Sequence, residues 1–255
     1  MVSLAIIGGT GVYDPDILGD TREQLIKTPY GEVTLRVGQF LGREVAFVPR
    51  HGPEHQVPPH RINYRANIWS LRHLGVERAI ATAAAGSLNP DLHPGDLVMI
   101  DQFLDFTRGR VQTFYEGGPG GVVHVDVTHP YCRQLRQALF NSGKKHQLRV
   151  HYRGTYVCTE GPRYETAAEI RMFRLLGGDL VGMTNVPEVV LARELGICYA
   201  AVAMVTNYAA GISPTALTHQ EVLAVMGRNL SNLRRLIMET LENLPAQRAC
   251  DCPKA

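Results

Sequence analysis

The sequence predicts one α/β domain built around a largely buried central sheet. Strand-like and helix-like segments alternate along its 255 residues. Several strand segments are continuous apolar runs, the pattern of strands covered on both faces. No linker or internal repeat interrupts the chain, so residues 1–245 read as the domain and 246–255 as a flexible C-terminal tail.

"LAIIGG" (4–9) is a buried strand ending in a glycine turn. "TLRVGQF" and "EVAFVPR" form a hairpin pair about "LGR". "INYRANIWSLRHLG" places Ile62, Ala66, Trp69 and Leu74 at helical spacing and ends in a glycine C-cap. "RAIATAAAGS" reads as a strand running into a small-residue turn, and "GDLVMIDQFLDF" as one further strand. A helix is expected from about Pro130 to Ser142, followed by the strand "GTYVCTEG". "ETAAEIRMFRLLGG" is a helix, and "PEVVLAREL" is another with proline at its first position. "CYAAVAMVTN" is the last strand. "THQEVLAVMGRNLSNLRRLIMETLENL" is a long amphipathic helix capped by Thr218.

Hydrophobic content of 45% and charged content of 20% are those of a globular protein, and a formal net charge of +2 gives no reason to expect a nucleic acid. The N-terminus lacks the pattern of a signal peptide, and no stretch has transmembrane length, so no membrane partner and a cytoplasmic location are expected. The five cysteines are scattered, and such a set in the cytoplasm is usually reduced and structural. The Cys-x-Cys pair Cys250 and Cys252 makes a poor metal site by itself. A redox or disulfide role is the alternative to a frayed tail.

Three small-residue turns at strand ends point to an anion. "GGTG" (8–11) fails the dinucleotide pattern because Asp14 stands where glycine is needed, yet its backbone N–H groups and the Thr10 hydroxyl can cradle an oxyanion. "PRHGPEH" (49–55) sets the planar, permanently charged fork of Arg50 beside His51 as a second donor. In "AAAGS" (83–87), Ala83 and Ala84 can offer backbone N–H groups. His51, His55 and His60 suggest a metal only superficially: Pro53, Pro58 and Pro59 forbid helical pairing, and no carboxylate or cysteine completes a ligand set, so no metal is expected. Three turns converging at strand ends of an α/β sheet favour phosphate.

At "GGTG", "PRHGPEHQVPPHRINYRANIWSL", "AAAGSLNPDLHPGDLVMIDQFLD", "TEGPRYET" and "VGMTNVPEVVLARELGICYAAVAMVTN" the chain resembles the trimeric purine nucleoside phosphorylases, in the branch that includes methylthioadenosine phosphorylases. The likeness runs from about residue 3 to 240. It implies a twisted mixed sheet, partly barrel-like, flanked by helices. It also implies phosphorolysis of a purine nucleoside to free base and sugar 1-phosphate, with inorganic phosphate as co-substrate and no cofactor. By family match Thr10, Arg50, His51, Ala83, Ala84 and Thr184 hold phosphate, and Met183 lies beside the sugar. His51 and Asn207 are then the catalytic pair, and a homotrimer, or a hexamer of two trimers, is expected. Ala83 departs from the threonine often found in the methylthioadenosine enzymes, which removes a hydroxyl donor. A neighbouring chain can contribute to such a site, and His124, after the "GGPGG" loop, is the candidate.

The choice of purine rests on three positions. A 6-oxopurine protonated at N7 shows an N7–H donor beside an O6 acceptor, and the amide of Asn207 matches both; a 6-aminopurine is better served by a carboxylic acid. Adenine-selective relatives carry Asp-x-Asp in this stretch, where this chain has Asn207-Tyr208-Ala209. Glu165, after Tyr164, can accept from the N1–H that adenine lacks; a helix N-terminal glutamate is the structural alternative. His219 at the start of the final helix resembles the histidine that reaches a 5′-hydroxyl, where methylthio-selective enzymes use apolar side chains. The joint reading is a 6-oxopurine nucleoside phosphorylase. A methylthioinosine or methylthioadenosine phosphorylase, and a nucleoside-binding protein without turnover, are the alternatives.

Overall fold

A computed structural model describes residues 2–8, 18–213 and 218–253, leaving aside the side chain of His219. Four parallel strands make the centre: β1 (Leu4–Gly8), β4 (Arg43–Pro49), β5 (Arg78–Ser87) and β11 (Cys198–Tyr208). β1 lies between β4 and β5, and β11 lies on the other side of β5. All five residues of β1 are buried, and consecutive ones face opposite cores: Ala5 and Ile7 join one apolar cluster, Leu4 and Ile6 the other. That is the period-2 signature of a strand covered on both faces.

Helices supply the cover. Ile68 and Leu71 of α1 (Tyr64–Leu74) and Val189 and Leu191 of α4 (Asn185–Glu194) complete the first cluster. Leu135 and Leu139 of α2 (Arg133–Lys145) complete the second, with Met226, Leu233 and Ile237 of α5 (His219–Asn243). The cap residues act as the sequence suggests. Gly75 closes α1 at φ 89°. Thr218 accepts from the Glu221 N–H at the start of α5. Val186 is non-helical, so the regular part of α4 begins at Pro187.

The remaining strands are β2 (Gly19–Thr28), β3 (Gly31–Phe40), β6 (Leu97–Met99), β7 (Gln102–Phe106), β8 (Val150–His151), β9 (Thr155–Thr159) and β10 (Leu180–Gly182); α3 (Ala167–Leu175) precedes β10. The sheet is mixed and it forks. β1 pairs with β5 as far as Ala81, and β10 joins the same strand antiparallel at Gly86 and Ser87. Between them, Thr82–Ala85 has no strand beside that edge among the described residues.

Three sequence expectations change, and one strand was not foreseen. "GDLVMIDQFLDF" is two strands, because Leu97–Met99 pairs with β11 while Gln102–Phe106 crosses to pair with β9. β2 had no apolar pattern to reveal it, since it is an edge strand with only Ile26 buried. "AAAGS" is not a turn: β5 continues to Ser87. The C-terminal segment is not a loose tail. Arg78 donates to Pro245 O and Ala246 O, Arg248 donates to Gly196 O, and Cys250 and Cys252 pack against the second core. Among the described residues no helix is long and apolar enough to cross a membrane.

Candidate active site

The parallel strands β1, β4, β5 and β11 all end on one side, and residues at and beyond the ends of β4, β5 and β11 line a cavity of about 350 Å³. Arg50 and His51 follow β4, Ala83 and Ala84 belong to the unpaired edge region of β5, and Asn207 stands near the end of β11. Tyr164, Glu165, Met183, Thr184 and Ala209 complete the predicted residues found in its wall. This is the crevice at the carboxyl ends of the strands where open α/β sheets bind ligands. A separate cleft of about 810 Å³, along α2 and the C-terminal segment, contains none of the predicted site residues.

Arg50 is fully buried and bound. Its Nε donates to Glu188 Oε2 at 2.7 Å, its Nη2 to Glu188 Oε1 at 2.6 Å and its Nη1 to Thr82 O at 2.7 Å. Burial works against the guanidinium charge, and the Glu188 carboxylate outweighs it, raising the pKa. The Tyr199 hydroxyl donates to Glu188 Oε1 at 2.6 Å. The fork expected for an anion is therefore turned to Glu188, leaving one N–H on each Nη among the described residues. Glu188 and Tyr199 were missed because a glutamate within "PEVVLAREL" reads as an ordinary helix residue; no local pattern marks it as the partner of Arg50.

His51 differs from expectation in the same way. Its Nδ1 lies 2.8 Å from Val57 O, so the ring donates there and Nε2 carries the lone pair. Burial, then the charge of Arg50, lowers its pKa to about 4, and the neutral form prevails near pH 7. In that state the second ring nitrogen is an acceptor by type rather than a second donor. His55 packs against it with ring centroids 4.5 Å apart.

The exposed edge of β5 refines the alanine pair. N–H and C=O of one strand residue point to the same side, and successive residues alternate. Thr82 O faces Arg50, and Ala85 O faces the Thr206 hydroxyl of β11 at 3.3 Å. By that alternation the N–H of Ala84 is directed to the fork and that of Ala83 to β11. Thr184, just before α4, brings a hydroxyl to the same cavity.

Asn207 sits at a register break. Val205 pairs with Ala85 and Asn207 with Gly86, so Thr206 is the extra residue of a β-bulge. The bulge puts the amide over Gly86, where an added Cβ would stand 3.2 Å from Asn207 Nδ2. Thr206 Oγ1 donates to Asn207 Oδ1 at 2.7 Å, and Asn207 Nδ2 donates to Tyr208 O at 2.9 Å. The Tyr208 carbonyl, which can only accept, fixes which end of the amide donates, the Thr206 hydroxyl complements the other end, and each end keeps one further valence. Glu165 accepts from the Thr159 hydroxyl at 2.7 Å, and burial raises its pKa against that bond.

Arg110 was invisible in the sequence, yet it ties the walls together. It donates to Met183 O, Val186 O, Thr159 O and Glu160 O, and to the Tyr64 hydroxyl. His124 is exposed and is not among the residues lining this cavity. Thr10 lies outside the described residues, as does the side chain of His219.

Over residues 3–242 the chain matches the sequence pattern of the phosphorylase superfamily. It is similar to a probable 6-oxopurine nucleoside phosphorylase of Moorella thermoacetica, 58% identical over 252 residues that cover 99% of this chain and 97% of that one. A 6-oxopurine nucleoside phosphorylase of Pyrococcus furiosus is 54% identical over 260 residues, 100% of this chain and 98% of the relative. Among solved structures, methylthioadenosine phosphorylase from Schistosoma mansoni in complex with adenine superposes with a TM-score of 0.92 at 34% identity, covering 97% and 93% of the two chains.

Proposed function

The chain belongs to the phosphorylase superfamily, and we propose that its cavity carries out phosphorolysis of 6-oxopurine nucleosides, inosine and guanosine, giving free base and ribose 1-phosphate. The enzyme is a pentosyltransferase. The observation that carries the choice of base is the amide of Asn207, oriented by Thr206 and Tyr208 above Gly86. In that orientation Oδ1 accepts from N7–H of the leaving purine and Nδ2 donates to O6. Glu165 adds an acceptor for N1–H.

In the reaction a phosphate oxygen attacks C1′ as the C1′–N9 bond breaks. The bond electrons pass to the purine, and a proton taken up at N7 neutralises them. Arg50, through its remaining N–H groups, the Ala84 N–H and Thr184 position phosphate below the sugar. His51 accepts from a protonated phosphate oxygen, and Met183 lies against the ribose. Positioning of the nucleophile and stabilisation of the leaving base lower the barrier, and neither needs a metal or an organic cofactor. Thr10 belongs to the phosphate cradle in this reading, and Tyr164 and Ala209 border the base.

At the 5′ end Val222, one turn into α5, lines the cavity. An apolar wall there favours a second reading, 5′-methylthioinosine, which the base contacts accept equally; the proposed role of His219 is to hold a 5′-hydroxyl. A homotrimer in the cytoplasm, with His124 of each chain reaching a neighbour's site, completes the proposal. Phosphate-dependent base release from inosine, adenosine, methylthioinosine and methylthioadenosine, compared by kcat/KM, is the test. Inosine ahead of all three supports the proposal. Methylthioinosine ahead keeps the base contacts and assigns the 5′ end to Val222. An adenine nucleoside ahead overturns the role of Asn207.

A further inference from the structure

The fold gives the Cys250 and Cys252 pair two partners that no local pattern reveals. Cys132 is the N-cap of α2 and Cys198 the first residue of β11, both buried, and the C-terminal segment lays its two half-buried cysteines against them. The four sulfurs all lie within 4.8 Å of one another, and Cys198 Sγ stands 3.3 Å from Cys250 Sγ. Four thiolates around a tetrahedral zinc ion at about 2.3 Å have sulfur–sulfur edges of about 3.8 Å, which is the scale of this cluster. Two disulfides require only two close contacts. Mutual proximity of all four is what a shared central ion requires.

The surroundings suit an anionic thiolate set. Cys132 stands at a helix N-terminus, where N–H groups favour the thiolate. Arg248 is anchored by Gly196 O and Pro253 O, and its buried Nε lacks a hydrogen-bond partner among the described residues. Negative charge on the neighbouring sulfurs would satisfy it. Cys250 and Cys252 also line the 810 Å³ cleft, which gives an ion a path from solvent.

We propose that Cys132, Cys198, Cys250 and Cys252 form a structural zinc site that clamps the C-terminal segment to the starts of α2 and β11. All-sulfur ligands select a soft cation over magnesium or calcium, and four protein ligands leave no open position for catalysis. On binding, each S–H bond that is still protonated gives its proton to solvent and each sulfur gives an electron pair to the ion. This site is independent of the proposed nucleoside chemistry.

The test is metal analysis of the full chain, purified with reductant and supplemental zinc but without chelator. The expected result is about one zinc per chain, with stoichiometry falling several-fold in Cys252→Ser. Cobalt exchanged into the wild-type chain should show the intense thiolate-to-metal absorption of a four-sulfur tetrahedral site, a readout that does not depend on a variant folding. A chain without bound metal overturns the proposal, whether alkylation and intact mass then find four thiols or two disulfides. Zinc retained undiminished by the Cys132→Ser, Cys252→Ser double variant overturns it as well, because the ion would then be held elsewhere.

Discussion

Glu188→Gln removes one negative charge from a fully buried position while keeping the shape of the side chain. Wild-type Glu188 takes two charge-assisted hydrogen bonds from Arg50, at 2.6 and 2.7 Å, and a third from Tyr199. Losing one charge of a buried pair costs about 3–5 kcal/mol. Glutamine keeps one acceptor oxygen, which restores about 1 kcal/mol. The expected loss of about 3 kcal/mol lowers Tm by about 6–12 °C for a chain of this size. Phosphate should recover part of it. In the wild type the Arg50 charge is already compensated by Glu188, whereas in the variant a phosphate in the cavity becomes its counter-charge. Thermal unfolding at fixed chain concentration and ionic strength, with and without phosphate, reads both effects. A loss below about 2 °C would refute the energetic reading of the pair. An equal phosphate shift in both proteins would show that Arg50 does not face the anion.

Asn207→Asp should lower kcat/KM for inosine about 100-fold and raise the adenosine-to-inosine ratio, since the carboxylate can no longer donate to O6; an unchanged ratio would detach Asn207 from base choice. Gly86→Ala places a methyl 3.2 Å from Asn207 Nδ2 and 3.3 Å from Val181 Cγ1, so inosine turnover should fall more than the cost in stability, about 1–2 kcal/mol, accounts for. His51 contributes to pH dependence with a definite sign: its pKa falls from 6.5 to about 4 through burial and then Arg50. The unfolded chain therefore takes up the proton first as pH drops, so about 3 kcal/mol of stability present above pH 6.5 is lost towards pH 4. A His51→Gln variant should show a flatter stability profile across that window by urea unfolding, and parallel profiles would contradict the burial argument.

What the sequence made legible follows from how local each signal is. β1, β5 and β11 announce themselves because both faces are buried, and α1 and α5 because their caps are local in sequence. β2 was illegible, since an exposed edge strand has no apolar alternation to betray it. In the site, Arg50, His51 and Asn207 could be placed because each follows or ends a recognisable strand, whereas Glu165 joined them only through the family resemblance. Their bonding could not be read. Whether the fork of Arg50 faces an anion depends on Glu188, 138 residues away, and nothing near Arg50 encodes that distance. Arg110 and the pairing of Cys132 and Cys198 with the C-terminal cysteines were hidden for the same reason. Long-range polar partners are chosen by the fold, whereas strand burial and helix caps are chosen by neighbours.

Thr206→Val tests whether the protein, and not the ligand, sets the orientation of the Asn207 amide. Valine is close in shape to threonine and equally β-branched, so the bulge between Val205 and Asn207 should persist. What disappears is the hydroxyl that donates to Asn207 Oδ1 at 2.7 Å; the alternative acceptor, Ala85 O, is farther at 3.3 Å. The bond from Nδ2 to Tyr208 O would still bias the amide. One of two anchors is therefore lost, worth about 1 kcal/mol, and inosine kcat/KM should drop about fivefold. Adenosine should drop less, because a flipped amide offers its NH₂ to N7 and its oxygen to the 6-amino group. Thr206→Ser, which keeps the hydroxyl and loses the methyl, should retain the wild-type ratio. If valine and serine move the ratio alike, packing at the bulge governs selectivity and the hydroxyl does not. If only valine moves it, the bulge residue is the positioning group that makes an asparagine at this strand end selective for a 6-oxopurine.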